Sequence, residues 1–123
     1  MKAGSSFFCL FPLALGLLTG CDLCKEEIWG TTTSPDGKWA ATTIMRDCGA
    51  TTSETVSVNV HRTGSKGFEA DHNALVMKHR QAPGMVWAGN KHLLLDCSGC
   101  DSKDEIARAT QIGPIHIEHR MRR

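Results

Sequence analysis

The chain of 123 residues carries 14 Lys and Arg against 13 Asp and Glu, a formal net charge of +1. That even balance removes the electrostatic case for nucleic acid, which needs a strongly basic surface. The length allows one small domain, near the low end of what buries its own core.

The first twenty residues fall into three parts. Lys2 supplies a short positive start. An apolar stretch runs from Phe7 to Leu18, interrupted by Pro12 and Gly16. Small residues follow at Thr19 and Gly20, before Cys21. This is the order of a secretory signal: charge, apolar middle, small residues at the cut. The apolar run is too short for a membrane span, which needs about 20 residues. Charged residues follow at once, in Asp22, Lys25, Glu26 and Glu27.

The quartet Leu18-Thr19-Gly20-Cys21 resembles the lipobox of bacterial lipoproteins. The resemblance implies that the Cys21 thiol takes a diacylglyceryl group and that the signal is cut after Gly20. The new amine then becomes a site for a further acyl chain, such as palmitate. Residues 1–20 are thus expected to be a cleaved signal peptide. Residues 21–123 are expected to form a single small β-rich domain anchored through Cys21. One acyl chain anchors marginally, at about 0.8 kcal/mol per buried methylene, whereas two or three hold firmly. In enterobacterial lipoproteins an Asp directly after the lipidated Cys commonly causes retention in the inner membrane. Asp22 occupies that position, which implies the periplasmic side of the inner membrane, with the outer membrane as the alternative.

With the signal removed, the domain keeps 13 basic residues, Lys2 being lost, against 13 acidic ones. Its aromatic residues are Trp29, Trp39, Trp87 and Phe68, and there is no Tyr. The core must rest on Val, Ile, Leu, Met and the tryptophans. Cys24, Cys48, Cys97 and Cys100 remain as an even set, which in a small exported domain reads as a disulfide framework with three possible connectivities. The favoured pairing is Cys24–Cys48 with Cys97–Cys100, the second closing a tight Ser98-Gly99 turn.

Strand signals dominate the body. Ser34-Pro35-Asp36-Gly37 is a strong turn: Pro presets φ, Asp supports the turn, and Gly accepts positive φ. A β-prone run follows from Lys38 to Asp47, with Trp39, Ala41, Thr43 and Met45 on one side. Val56, Val58 and Val60 alternate with polar residues, giving the cleanest period-two strand. Thr63 to Asn73 reads as a loop, and Ala74 to His79 as a shorter strand. Met85-Val86-Trp87 and His92-Leu93-Leu94-Leu95 flank Gly89-Asn90 as a hairpin. Asp101 to Ala109 is ambiguous, since Ser102 and Glu105 suit a capping box for a turn or two of helix. Ile115 and Ile117 mark a last strand. The expected fold is mainly β, about six antiparallel strands in a small sandwich or a strongly twisted sheet.

Two further resemblances rest on these motifs. Ser34-Pro35-Asp36-Gly37-Lys38-Trp39 and Trp87-Ala88-Gly89-Asn90-Lys91-His92-Leu93 look like hairpins of a TolB-type β-propeller blade. The chain has room for about two such blades, so the resemblance implies local hairpin geometry only. The same turn, Cys48-Gly49-Ala50-Thr51-Thr52, the Val-alternating strand, the Trp-Gly-Asn hairpin and the final Ile strand resemble a family of small uncharacterised bacterial lipoproteins. That resemblance brings no known activity and implies only a small β-rich tethered domain.

Catalytic chemistry finds little support. No Gly-X-Ser-X-Gly elbow and no phosphate-cradling Gly loop occur. Cys97-X-X-Cys100, with His92 or with His116 and His119, has half of a zinc pattern. His116 and His119, three apart on a strand, point to opposite faces. The same Cys pair has dithiol–disulfide spacing, but Asp96 and Asp101 flank it, and negative charge raises a thiol pKa. Trp39 and Trp87 sit beside turns; they serve either as core plugs or, if exposed, as an interaction patch. Arg120-Met121-Arg122-Arg123 reads as a solvated basic tail, or as a contact for anionic headgroups.

The function expected from these features is a membrane-anchored, non-catalytic interaction module of inhibitor, immunity or envelope-assembly type. It would need no catalytic residue, no metal and no cofactor beyond its lipid, and its partner would be an envelope protein. The alternative is a thiol redox or metal-binding lipoprotein using Cys97 and Cys100.

Overall fold

The computed structural model describes residues 24–49 and 54–121. Cys21, Leu18, Thr19 and Gly20 lie outside the described residues, as does the Ala50–Thr52 part of the Cys-Gly-Ala-Thr-Thr segment.

The described residues form nine strands in two sheets: β1 Lys25–Thr33, β2 Trp39–Asp47, β3 Thr55–Arg62, β4 Asn73–Lys78, β5 Gly84–Gly89, β6 His92–Cys97, β7 Glu105–Arg108, β8 Gln111–Ile112 and β9 Ile115–Met121. One sheet has the order β1-β2-β3-β4-β7 and the other β5-β6-β9-β8. The fold is therefore mainly β, as expected, with more strands than six.

The turn at Ser34 to Gly37 forms as its residues demand. Gly37 has φ +75°. Its N–H donates to Ser34 O at 2.8 Å, and Ser34 Oγ donates to Asp36 Oδ1 at 2.7 Å. The hairpin it closes pairs Thr33 with Ala40 and runs back to Lys25 opposite Asp47. β3 then lies antiparallel to β2, and the alternating Val56, Val58 and Val60 all turn inward.

The core lies between the sheets. Ala41, Val58, Val60, Leu75 and Met77 from the larger sheet meet Leu93, Leu95, Ile115 and Ile117 from the smaller one. Each of these side chains is at most 1% exposed, so each contributes most of the roughly 1.5–3 kcal/mol that burying a large apolar group yields, Ala41 much less.

One expectation needs correction, and two further features add to the sequence reading. First, the strands are not all antiparallel: β6 and β9 pair in parallel, with Leu93 opposite Ile117. The crossover between them passes through β7, which belongs to the other sheet, and this keeps the two strands in one direction. Second, 101–109 is not α-helical. Asp101 accepts from Lys103 N and caps a 3-10 turn, Ser102–Asp104, after which β7 pairs with the open edge of β4. One 3-10 turn forms, and beyond it pairing a bare edge outweighs any further helix. Third, β2 is buried on both sides, from Trp39 through Met45. Its second face carries Ala40, Thr42 and Ile44, and segment 63–72 folds back over that side of the sheet, tied there by Asn59 Nδ2 donating to Glu69 O at 2.8 Å.

Candidate functional site

The registers place both disulfides and both ends of the described chain at one end of the sandwich. Cys24 bonds to Cys48 beside the Lys25–Asp47 pair. In the other sheet, Cys97 lies opposite Met121 and bonds to Cys100. The sheets run alongside each other, because Trp87 Nε1, near the end of β5, donates to Thr32 O near the end of β1. The loops at 34–38 and 90–91 and the β8–β9 turn therefore gather at the opposite end. Both favoured disulfide pairings form, and no free cysteine occurs among the described residues.

The tryptophans divide differently from the expected patch. Trp39 is only 9% exposed and belongs to the core, with the Arg62 guanidinium 5.3 Å from its ring centroid. Trp87 is half-buried against the core and spends its indole N–H on Thr32 O. Trp39 and Trp87 are thus core plugs and not an exposed pair. The exposed indole is Trp29, at 37%. It occupies a bulge in β1, where Ile28 pairs with Ile44 and Gly30 with Thr43, leaving Trp29 unmatched. Its N–H donates to Glu27 Oε1 at 3.1 Å, and Arg80 lies 5.1 Å from its ring centroid. Ile28, on the outer face of the same strand, is 59% exposed. The signal for this site was Ile28-Trp29 inside a charged stretch. It went unread because the bulge breaks the period-two pattern by which strands are found.

A groove of about 350 Å³ adjoins β1. Its floor is the outer face of the five-stranded sheet and its roof is the 63–72 segment. Glu26, Ile44, Arg46, Ser57, Phe68 and Asn73 line it. Glu26 and Arg46 form an ion pair at 3.5 Å, with both side chains about half exposed. An ion pair so open to water contributes about 0–1 kcal/mol, so it is easily rearranged around a ligand. Asn59, fully buried, fixes the roof: its Nδ2 also donates to Asn73 Oδ1 at 2.8 Å. The groove thus offers an apolar floor and wall from Ile44 and Phe68, a charged pair at the β1 side, and a hydroxyl and a carboxamide. This set suits binding of an amphipathic group.

The remaining expected site residues do not converge. Cys97 is 2% exposed and points into the core with Leu93 and Leu95, whereas His92 and His116 stand on the opposite face of the sheet. Asp96, beside the Cys97–Cys100 pair, has its pKa lowered by hydrogen bonds from the Ser98 side chain and backbone. The site beside the sulfurs therefore holds a firm negative charge, which disfavours a reactive thiolate. His116 and His119 do face opposite ways: His116 is exposed, and His119 turns inward with Nε2 2.7 Å from Ala109 O. Elsewhere, Glu69, Asp71 and His72 bring their ligand atoms within 4.8 Å of one another on an exposed 3-10 turn.

No protein-family model, curated protein or solved structure matches the chain. Among the described residues, no helix is long and apolar enough to cross a membrane.

Proposed function

We propose that the chain is a lipoprotein of the periplasmic face of the inner membrane, anchored through Cys21, whose β-sandwich acts as a non-catalytic interaction module. The observation that carries this proposal is the β1 edge. The strand leaves Cys24, three residues after Cys21, and forms one border of its sheet. It presents exposed Ile28 and Trp29, and Glu26 of the same strand lines the groove. Edge backbone groups add a partner strand, while a large aromatic and an aliphatic side chain supply the anchoring contact. The bulge at Trp29 and the charges of Lys25, Glu26 and Glu27 guard the same edge against unspecific pairing. The partner chemistry that fits is an extended segment of an envelope protein with an apolar side chain for the groove. Inhibitor, immunity and assembly-accessory roles all use such a surface.

The test is recovery of partners from crosslinked envelopes by the wild type and by Trp29→Ala and Ile28→Lys. A partner recovered by the wild type and lost from both variants is the expected result. No partner above background in several growth conditions would count against an interaction role. The thiol redox or metal-binding alternative through Cys97 and Cys100 is weakened by the burial of Cys97. Free-thiol titration of periplasmic material distinguishes it: readily reduced sulfurs or a bound metal at that pair would restore it.

A further inference from the structure

The outer face of the four-stranded sheet carries polar side chains that neither the core nor the β1 edge uses. β6 and β9 run in parallel with His92 opposite His116 and Leu94 opposite Glu118. Residues two apart on a strand share a face, so Glu118 stands beside His116 on the side of His92. The two imidazoles meet edge to face, with ring centroids 5.2 Å apart. His92 Nε2 lies 3.1 Å from Glu118 Oε1. The His92 and Glu118 side chains are 41% and 47% exposed, and His116 is exposed as well.

We propose that His92, His116 and Glu118 bind a divalent transition-metal ion of the Zn²⁺, Ni²⁺ or Cu²⁺ type. Two imidazole nitrogens and one carboxylate oxygen suit these borderline ions and not Mg²⁺ or Ca²⁺, which prefer oxygen throughout. The contact between His92 Nε2 and Glu118 Oε1 holds a single proton between a ring nitrogen and a carboxylate. A divalent cation displaces that proton and takes both the nitrogen lone pair and the carboxylate oxygen. The β ladder fixes the spacing of the two histidine backbones, so binding orders only side chains. One movement closes the site. His116 is not gathered with the other two within the 4.8 Å that unites Glu69, Asp71 and His72. Closing the site requires the exposed His116 ring to take up another staggered rotamer. Water fills the remaining positions. The Glu69–Asp71–His72 group offers one imidazole on a short exposed turn, and nothing independent there points to a ligand.

The test uses the full chain in detergent with both disulfides intact. Zn²⁺ is titrated against a chromophoric chelator, with Ni²⁺ and Mg²⁺ in parallel runs. Binding of a single Zn²⁺ is expected, with Mg²⁺ failing to compete. His92→Ala and His116→Ala each lose at least roughly tenfold in affinity, while Asp71→Ala binds as the wild type does. Histidine-ring NMR of the wild type supplies a readout that needs no variant. Zn²⁺ should shift the His92 and His116 rings and leave His61 and His72 in place. Absence of Zn²⁺ binding, unchanged affinity in the His92→Ala/His116→Ala double variant, or shifts confined to His72 would overturn the proposal.

Discussion

At the scale of single residues, the Asp36 carboxylate shows how a turn couples stability to pH. It accepts from Ser34 Oγ at 2.7 Å and from Lys38 N at 3.1 Å. The Ser34 hydroxyl is the main cause that lowers its pKa, followed by the Lys38 backbone bond. A lowered folded-state pKa contributes stability that is present above the unfolded value, about 3.9, and lost as pH falls through the folded value. Asp36→Asn should therefore unfold more easily at pH 7 and show a flatter acid limb. Melting curves from pH 7 to pH 2 check this, and coincident curves for the two proteins would refute it. Asn59 makes a second residue-scale case. It is 0% exposed, its Nδ2 holds Glu69 O and Asn73 Oδ1, and its own Oδ1 has no hydrogen-bond partner. Asn59→Ala should lose about 1–3 kcal/mol in denaturant unfolding. Asn59→Asp should lose more, because it sets a carboxylate oxygen against two acceptors.

At the scale of elements, burial and cross-linking make separable contributions. Leu95, in β6, is 0% exposed between the sheets, so Leu95→Ala should cost about 2–5 kcal/mol in urea unfolding. Against a typical total of about 5–15 kcal/mol, that is a large share. The disulfides should differ in rank. Cys24–Cys48 spans 24 residues and Cys97–Cys100 spans 3. Loop-closure entropy gives about 3.5 kcal/mol for the longer loop and under about 2 for the shorter. Paired Ser substitutions compared by chemical denaturation should show the larger loss at Cys24/Cys48; the reverse order would show that native packing of Cys97, not loop closure, dominates.

At the scale of the whole molecule, one end of the sandwich holds the first described residue, Cys24, and the last, Met121, with both disulfides. An anchor at Cys21 would put that end near the bilayer and the 34–38 and 90–91 loops away from it. Ile28 and Trp29 would then lie along the side of the domain, open to a partner. Cys21→Ser should leave the membrane fraction in cell fractionation and lose the processed, lipid-bearing form. A processed Cys21→Ser protein that still sediments with membranes would defeat the anchor.

Local signals carried much of this molecule. Pro35, Asp36 and Gly37 dictate their turn because φ and hydrogen bonding act within four residues. Val56, Val58 and Val60 dictate an inward face because strand side chains alternate. The even number of cysteines left after Cys21 anticipated two bridges, both of which form. Tertiary structure decided what depends on neighbours distant in sequence. Residues 105–108 became β7 because β4 had an unpaired edge, and β6 and β9 met in parallel because the chain between them crossed to the other sheet. Trp39 went inside while Trp29 stayed out, although both lie near charged residues in β-prone sequence. Trp39 lands between the sheets, where Gly113 leaves room beside its ring, and Trp29 lands at a bulge on an edge. His92 and His116, 24 positions apart, became neighbours only through that parallel register. Periodicity tells which way a side chain points, but what it meets there is set by the packing of whole sheets.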